Sequence, residues 1–265
     1  SSFALGVSFY DAYPVRQRLA FLVAAIPYGV ALEQLVILRF ARYHYPVDSY
    51  LLTIADVPLV IGFGWAAIVY AGFRAARLYD FADWRVPFFV GLFALHVDLA
   101  IDAVAIRAGF WTWTPPGVWF GVPLGNFLGW FLVASLFPAA WLGLAKKRGG
   151  LATRAAASVG VALAGLIAIL QIWTWVATTL VRRILFFGGV VSLALGVVAT
   201  ADPRPRELPL LVSAVPFVFH AYYLGLLVGL GIGFQVPALI PISFAMAGLS
   251  VYLHRPIFHT DTATR

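Results

Sequence analysis

The stretch Ala155–Leu170, AAASVGVALAGLIAIL, decides the fold class. It is apolar on every face of any regular element it forms, so it lacks the lipid-side and lumen-side alternation of a membrane β-strand. With its flanks it reaches the roughly 20 residues that cross a bilayer as a helix, whose backbone groups are satisfied within the segment. Similar runs recur along the chain. Of its 265 residues 62% are hydrophobic, 16% aromatic and only 11% charged, against about 45–50% apolar and about 25% charged in an average soluble domain. One water-soluble core of this size would not bury so much apolar surface. The sequence therefore predicts an all-α, polytopic integral membrane helical bundle, a single transmembrane domain over residues 1–265.

Apolar runs and the turn or charge signals between them predict eight spans near 19–40, 50–73, 86–108, 123–145, 155–178, 184–200, 209–231 and 234–253. Only Arg182 and Arg183 separate the fifth from the sixth, and the count becomes seven if that division is dropped. Pro203, Pro205 and Pro209 with Gly149 and Gly150 mark loops, whereas Pro87 and Pro123 fall in first turns, where a missing N–H costs little. Eight spans put both chain ends on one side. Of the 18 Lys and Arg, only Arg39, Arg42, Arg107, Arg182 and Arg183 then lie on the other side, so the excess of basic residues places both termini in the cytoplasm. Residues 1–18 lack the pattern of a cleaved signal peptide. The expected location is the cell (plasma) membrane, as a multi-pass protein.

The net charge of +7 does not indicate nucleic acid, because no basic block is longer than Lys146-Lys147-Arg148 and the basic residues sit between apolar segments. There is no cysteine, which removes disulfides, thiolate metal sites, iron–sulfur clusters and cysteine nucleophiles. Lys146 and Lys147 are the only lysines and lie in a loop, so a retinal Schiff base is excluded.

Ionisable groups inside a membrane helix cost about 2.5–3.5 kcal/mol each on insertion scales, so each needs a reason. Glu33 falls in the outer half of span one, Asp56 at the start of span two, and His96, Asp98 and Asp102 in the middle and outer parts of span three. Asn126 falls in the first turn of span four, Gln171 in the outer half of span five, His220 near the midplane of span seven, and Gln235 at the start of span eight. Nearly all are mid-to-outer in depth, as if lining one cavity that opens toward the outer half of the membrane. Asp98 and Asp102, four residues apart, project from one helical face about 6 Å from each other. Two carboxyl groups that close in low dielectric do not both ionise easily, which suits an acid beside a base or charge stabiliser. His96 lies about 200° around the helix from Asp98 and reads as structural. A bis-histidine haem or metal site with His220 is the lesser alternative. No HxxxH or HxxHH cluster supports a di-iron oxygenase, and no metal or cofactor is expected.

The linker Gly109-Phe110-Trp111-Thr112-Trp113-Thr114-Pro115-Pro116-Gly117-Val118-Trp119-Phe120-Gly121-Val122-Pro123 is aromatic, rigid and uncharged. It reads either as an interfacial aromatic belt or as a lid whose π-faces cover the polar cavity and stabilise a developing carbocation. Trp173 and Trp175 reach the same depth.

The segments Asp102-Ala103-Val104-Ala105-Ile106-Arg107-Ala108-Gly109-Phe110-Trp111-Thr112-Trp113 and Trp119-Phe120-Gly121-Val122-Pro123-Leu124-Gly125-Asn126-Phe127-Leu128-Gly129-Trp130 resemble the signature of the carotenoid biosynthesis membrane proteins that include bisanhydrobacterioruberin hydratase and gamma-carotene 1'-hydroxylase. That signature reads D-P-x-A, G-x-W-x-W, then F/Y-G-V-P-x-x-N-F-x-G-W. Here Ala103 stands where the pattern has Pro, which alters a helix kink but no reacting group. Outside this core the likeness is general and includes Glu33 and Asp56.

The resemblance implies a cofactor-independent addition of water across the terminal C1=C2 bond of an acyclic carotenoid, giving a tertiary 1-hydroxy end group. It implies Asp98 and Asp102 as acid and base in undetermined order, Asn126 and Glu33 as groups that position water, and Trp111 and Trp113 as screens for the cation. Trp119, Phe120, Trp130, Asp56, Gln171 and His220 complete the expected substrate-binding set. The partners are the carotenoid, which arrives laterally from lipid, water, the bilayer and other enzymes of carotenoid biosynthesis. Two alternatives stay open: a carotenoid end-group cyclase of the lycopene cyclase type, and a pigment-binding or transport protein without catalysis.

Overall fold

The protein's computed structural model describes residues 14–145, 149–204 and 206–262. Residues 1–13, Lys146, Lys147, Arg148, Pro205 and Arg265, used above as leader, loop or topology signals, lie outside the described residues. Among the described residues the helices are α1 (Val15–Phe40), α2 (Leu59–Ala75), α3 (Val86–Ala105), α4 (Leu124–Gly143), α5 (Leu151–Val176), α6 (Leu180–Val198), α7 (Leu210–Ser213), α8 (Val215–Gly229), α9 (Ile232–Gln235) and α10 (Leu239–His254). Six of them, α1 to α6, are long and apolar enough to cross a membrane, and α8 is a shorter apolar helix. The chain is an all-α polytopic membrane bundle.

The helix ends follow local chemistry. The α1 helix stops at Ala41, whose left-handed φ of 45° closes the last turn through its N–H to Ile37 O. The break between α5 and α6 falls at residues 177–179, earlier than Arg182 and Arg183, which instead lie in the first turns of α6. Thr179 makes that break, because its hydroxyl accepts from the Arg182 N–H at 3.3 Å and caps α6.

Two expected boundaries are corrected. Span two begins at Leu59, not near 50, because Thr53–Ile54 (β2) and Val57–Pro58 (β3) form an antiparallel hairpin in front of it. Ala55, with φ 50°, and Asp56 make the hairpin's turn, so Asp56 opens no helix. Span eight begins at Leu239, and Gln235 belongs to the four-residue α9 that precedes it. The seventh span is divided at Ala214 into α7 and α8.

The core centres on α3, whose membrane-crossing stretch is 83% buried, whereas that of α6 is 6% buried and faces the surroundings with apolar side chains. Glycines set the two approaches that matter most for the site. A Cβ on Gly29 of α1 would stand 2.8 Å from Trp65 Cβ and 3.0 Å from Gly62 Cα, so α1 and α2 meet nearly backbone to backbone. A Cβ on Gly91 of α3 would stand 2.2 Å from Ser135 Oγ of α4. The first contact carries Glu33 toward Trp65, and the second brings α3 and α4 together.

Candidate active site

The two loops at the end of the bundle where α1 finishes are joined. Tyr43–His44 (β1) pairs antiparallel with Thr112–Trp113 (β4), Tyr43 opposite Trp113 and His44 opposite Thr112. The Thr114 N–H extends the pairing to Arg42 O at 2.7 Å, and Tyr50 Oη donates to Phe110 O at 2.9 Å. The aromatic linker is thereby fixed as a cover over the bundle end. Its rings interlock with those of the first loop: Tyr43 lies 4.7 Å from Trp113 and Tyr45 lies 6.1 Å from Trp111, between ring centroids.

Under this cover the predicted aspartates come together with Asn126. The Asn126 amide donates to Asp98 Oδ2 at 2.9 Å and to Asp102 Oδ2 at 3.1 Å. Asp102 Oδ2 also accepts the Trp113 indole N–H at 3.3 Å, a link from the cover to α3. Asp98 is fully buried, and its Oδ1 has no hydrogen-bond partner among the described residues. Neither aspartate is bonded to an Arg or Lys among the described residues; the Arg107 guanidinium instead donates to Ala103 O and Phe120 O. An amide-bridged pair of carboxyl groups with no paired cation is suited to hold and deliver a proton.

Glu33 forms a second centre on α1. Its Oε2 accepts from Tyr43 Oη and from Tyr45 Oη, the latter at 3.0 Å, and its Oε1 accepts from Trp65 Nε1 at 2.7 Å. Burial, with the Glu33 charge beside them, holds both loop phenols well above their ordinary pKa, so they remain donors. The two centres are linked through the ring contact of Tyr43 and Trp113, tilted by 47°, one bonded to Glu33 and the other to Asp102.

A cavity of about 850 Å³ lies between these groups. Glu33, Asp102, Asn126, Trp111, Trp113 and Trp130 line it. The remaining predicted site residues do not. Asp98 sits behind Asp102, outside the lining. Asp56 is exposed and exchanges two hydrogen bonds with Gln34, at 2.8 and 2.9 Å, that pin the hairpin to α1. Gln171 accepts from Arg39 and donates to Thr174 Oγ1 at 2.9 Å, tying α5 to the end of α1. Trp119 packs on Phe120 and Phe127, with ring centroids at 5.3 and 6.1 Å, and Phe120 contributes its carbonyl to Arg107. Trp175 is 70% exposed and points away from the bundle.

His220 is buried against His96, ring centroids 5.5 Å apart, away from the cavity lining. His96 Nε2 meets Ser250 Oγ at 2.7 Å. Among the described residues no group of three or more His, Asp or Glu could hold a metal ion.

Sequence reasoning missed Tyr43, Tyr45, Trp65 and Tyr223, all of which line the cavity. The alternation Tyr43-His44-Tyr45 is the available signal, since residues two apart on a strand share a face. Trp65 and Tyr223 carry no local signal. The cavity also reaches the lipid-facing surface. Val60 and Phe63 of α2 and Tyr222 of α8 line it while remaining 57%, 53% and 53% exposed, so its side opens between those two helices.

Residues 1–200, which hold α1 to α6 and both loops of the cover, match the family model described as carotenoid biosynthesis protein. No curated protein and no solved structure matches the chain.

Proposed function

The chain belongs to the carotenoid biosynthesis protein family, and we propose that it hydrates the terminal C1=C2 bond of an acyclic carotenoid to a tertiary 1-hydroxy end group. The observation that carries this reading is Asp102, which presents a carboxyl group backed by Asn126 and Asp98 to an aromatic-walled cavity open to lipid. Hydration in the Markovnikov sense needs an acid at C2, screening of the tertiary cation at C1, and a group that orients water. Asp102 supplies the acid, Trp111, Trp113 and Trp130 the π-faces, and Glu33 and Asn126 the polar contacts for water.

The cavity volume is that of a site for one end group, within the roughly 300–1,000 Å³ of small-ligand pockets. A carotenoid is about as long as the hydrocarbon core is thick, roughly 30 Å, so its polyene extends through the opening between α2 and α8 into the bilayer. The same proposal places the protein in the cell membrane as one transmembrane domain, with both chain ends in the cytoplasm and the cover on the opposite side.

The test is expression of the chain in cells that accumulate an acyclic carotenoid, with mass spectrometry of the extracted pigment after growth in normal and 18O-labelled water. The expected product has gained one water that carries the label. An isomer of unchanged mass would replace hydration by cyclisation, and untouched pigment across several acyclic substrates would replace both by binding or transport.

A further inference from the structure

We infer that the two halves of the addition are divided between the two carboxylate centres: Asp102 delivers the proton, Glu33 accepts the proton of the attacking water, and Asp98 takes no direct part. The inference rests on the hydratase reading and assigns the roles which the spacing of Asp98 and Asp102 alone leaves open. Both reacting carboxyl groups line the cavity, whereas Asp98 does not, and its one free oxygen is buried. The amide of Asn126 occupies its other oxygen. Asp98 is a positioning residue: the Asn126 amide donates to it and to Asp102 at once, which fixes the Asp102 carboxyl group at the cavity wall.

Glu33 is built to accept. A carboxylate offers about four lone-pair positions; two phenols and an indole take three of them and leave one for a water in the cavity. Tyr43, Tyr45 and Trp65 fix the carboxylate from three directions, and none of them lies on the helix that carries it. They are positioning residues for the water-capture step.

The step balances. The C1=C2 electron pair takes the Asp102 proton to form a C2–H bond and leaves a cation at C1. A water oxygen lone pair then forms the C1–O bond while Glu33 removes one of that water's protons. The proton returns from Glu33 to Asp102 through cavity water, so one water is consumed and nothing is oxidised or reduced.

This division makes a claim that a structural role for Glu33 would not. Without the base, the cation still forms and reverts by losing either of its two C2 hydrogens to Asp102, which in D₂O leaves deuterium at C2 of part of the recovered alkene. The full-length protein in membranes, given an acyclic carotenoid in D₂O or in 18O-water, reads the two steps separately. Wild-type product should carry both labels. Glu33→Gln should lower hydration by about 100-fold while recovered substrate still gains deuterium, and Asp102→Asn should show neither label. Tyr43→Phe, which keeps the ring contact with Trp113, should shift the balance the same way by about tenfold and decides the matter if Glu33→Gln does not fold. Full hydration in folded Glu33→Gln or in Tyr43→Phe, or parallel loss of deuterium uptake and hydration in either folded variant, would overturn the inference. Absence of 18O from wild-type product would instead overturn the hydratase reading itself.

Discussion

Replacing each aspartate of the bridged pair by asparagine separates rate from stability. At position 102 the new amide oxygen still accepts from Asn126 and Trp113, which now lie 3.1 and 3.3 Å from Oδ2, in a residue that lines the cavity. Folding should change little, but the acid is gone. Positioned acid–base groups contribute about 10²–10⁴ in rate, so Asp102→Asn should slow hydration by about 1,000-fold, or about 4 kcal/mol of transition-state stabilisation. At position 98 the costs are reversed. An asparagine oxygen can take the Asn126 hydrogen bond, but its NH₂ replaces Oδ1 in a fully buried place with no partner among the described residues. A buried unsatisfied donor costs about 1–3 kcal/mol of stability, while turnover of the folded fraction should fall by no more than about tenfold, since the acid at Asp102 remains. Thermal unfolding in detergent and chromatography of extracted pigment measure the two effects on the same preparations. Equal rate losses with unchanged stability in both variants, or normal turnover in Asp102→Asn, would refute the reasoning.

Two further substitutions probe the cavity and the packing that frames it. Gly129 lines the cavity and a Cβ there would meet nothing within 4 Å, so Gly129→Leu should fold normally and raise KM for the carotenoid, as measured by steady-state turnover. Gly91→Ala would place a methyl group 2.2 Å from Ser135 Oγ and 2.7 Å from the Phe131 ring. Overpacking of this kind costs about 1–3 kcal/mol and should appear as a lower unfolding temperature with weakened activity, because the same α3–α4 contact positions Asn126.

The carboxyl groups of the candidate site were legible for a physical reason: charge is so costly inside a membrane helix that Glu33, Asp98 and Asp102 stand out against their apolar flanks. The four-residue spacing gave the shared face, and the structure adds the amide that bridges it. Asp56 misled because Leu51-Leu52-Thr53-Ile54 runs almost continuously into the apolar Val57–Val60, and a sum over hydropathy does not see a two-residue turn. Tyr43, Tyr45 and Trp65 were not legible as ligands of Glu33. Phenols and indoles near a membrane surface are explained equally well by an aromatic belt, and only the three-dimensional meeting of α1, α2 and the first loop gives them a target. His96 and His220 show the converse: two residues that sequence distance kept apart are neighbours in the core, yet their rings lie off the cavity.

The proposed hydration of a lipid-dissolved alkene would need two routes into one chamber, because the two reactants arrive from opposite solvents. The opening between α2 and α8 is walled by Val60, Phe63 and Tyr222, a side entrance suited to a polyene. Water has to come from the end of the bundle, where the exposed Pro115, Pro116 and Val118 of the linker border the same cavity. The paired loops stand between that aqueous end and both carboxyl centres, and each centre is tied to the pairing by a residue of the ladder itself: Tyr43 to Glu33 and Trp113 to Asp102. Displacing the cover would therefore disturb both carboxyl centres together. In the proposed hydration, a cation at C1 would be shielded from bulk water only while the cover holds both centres in place.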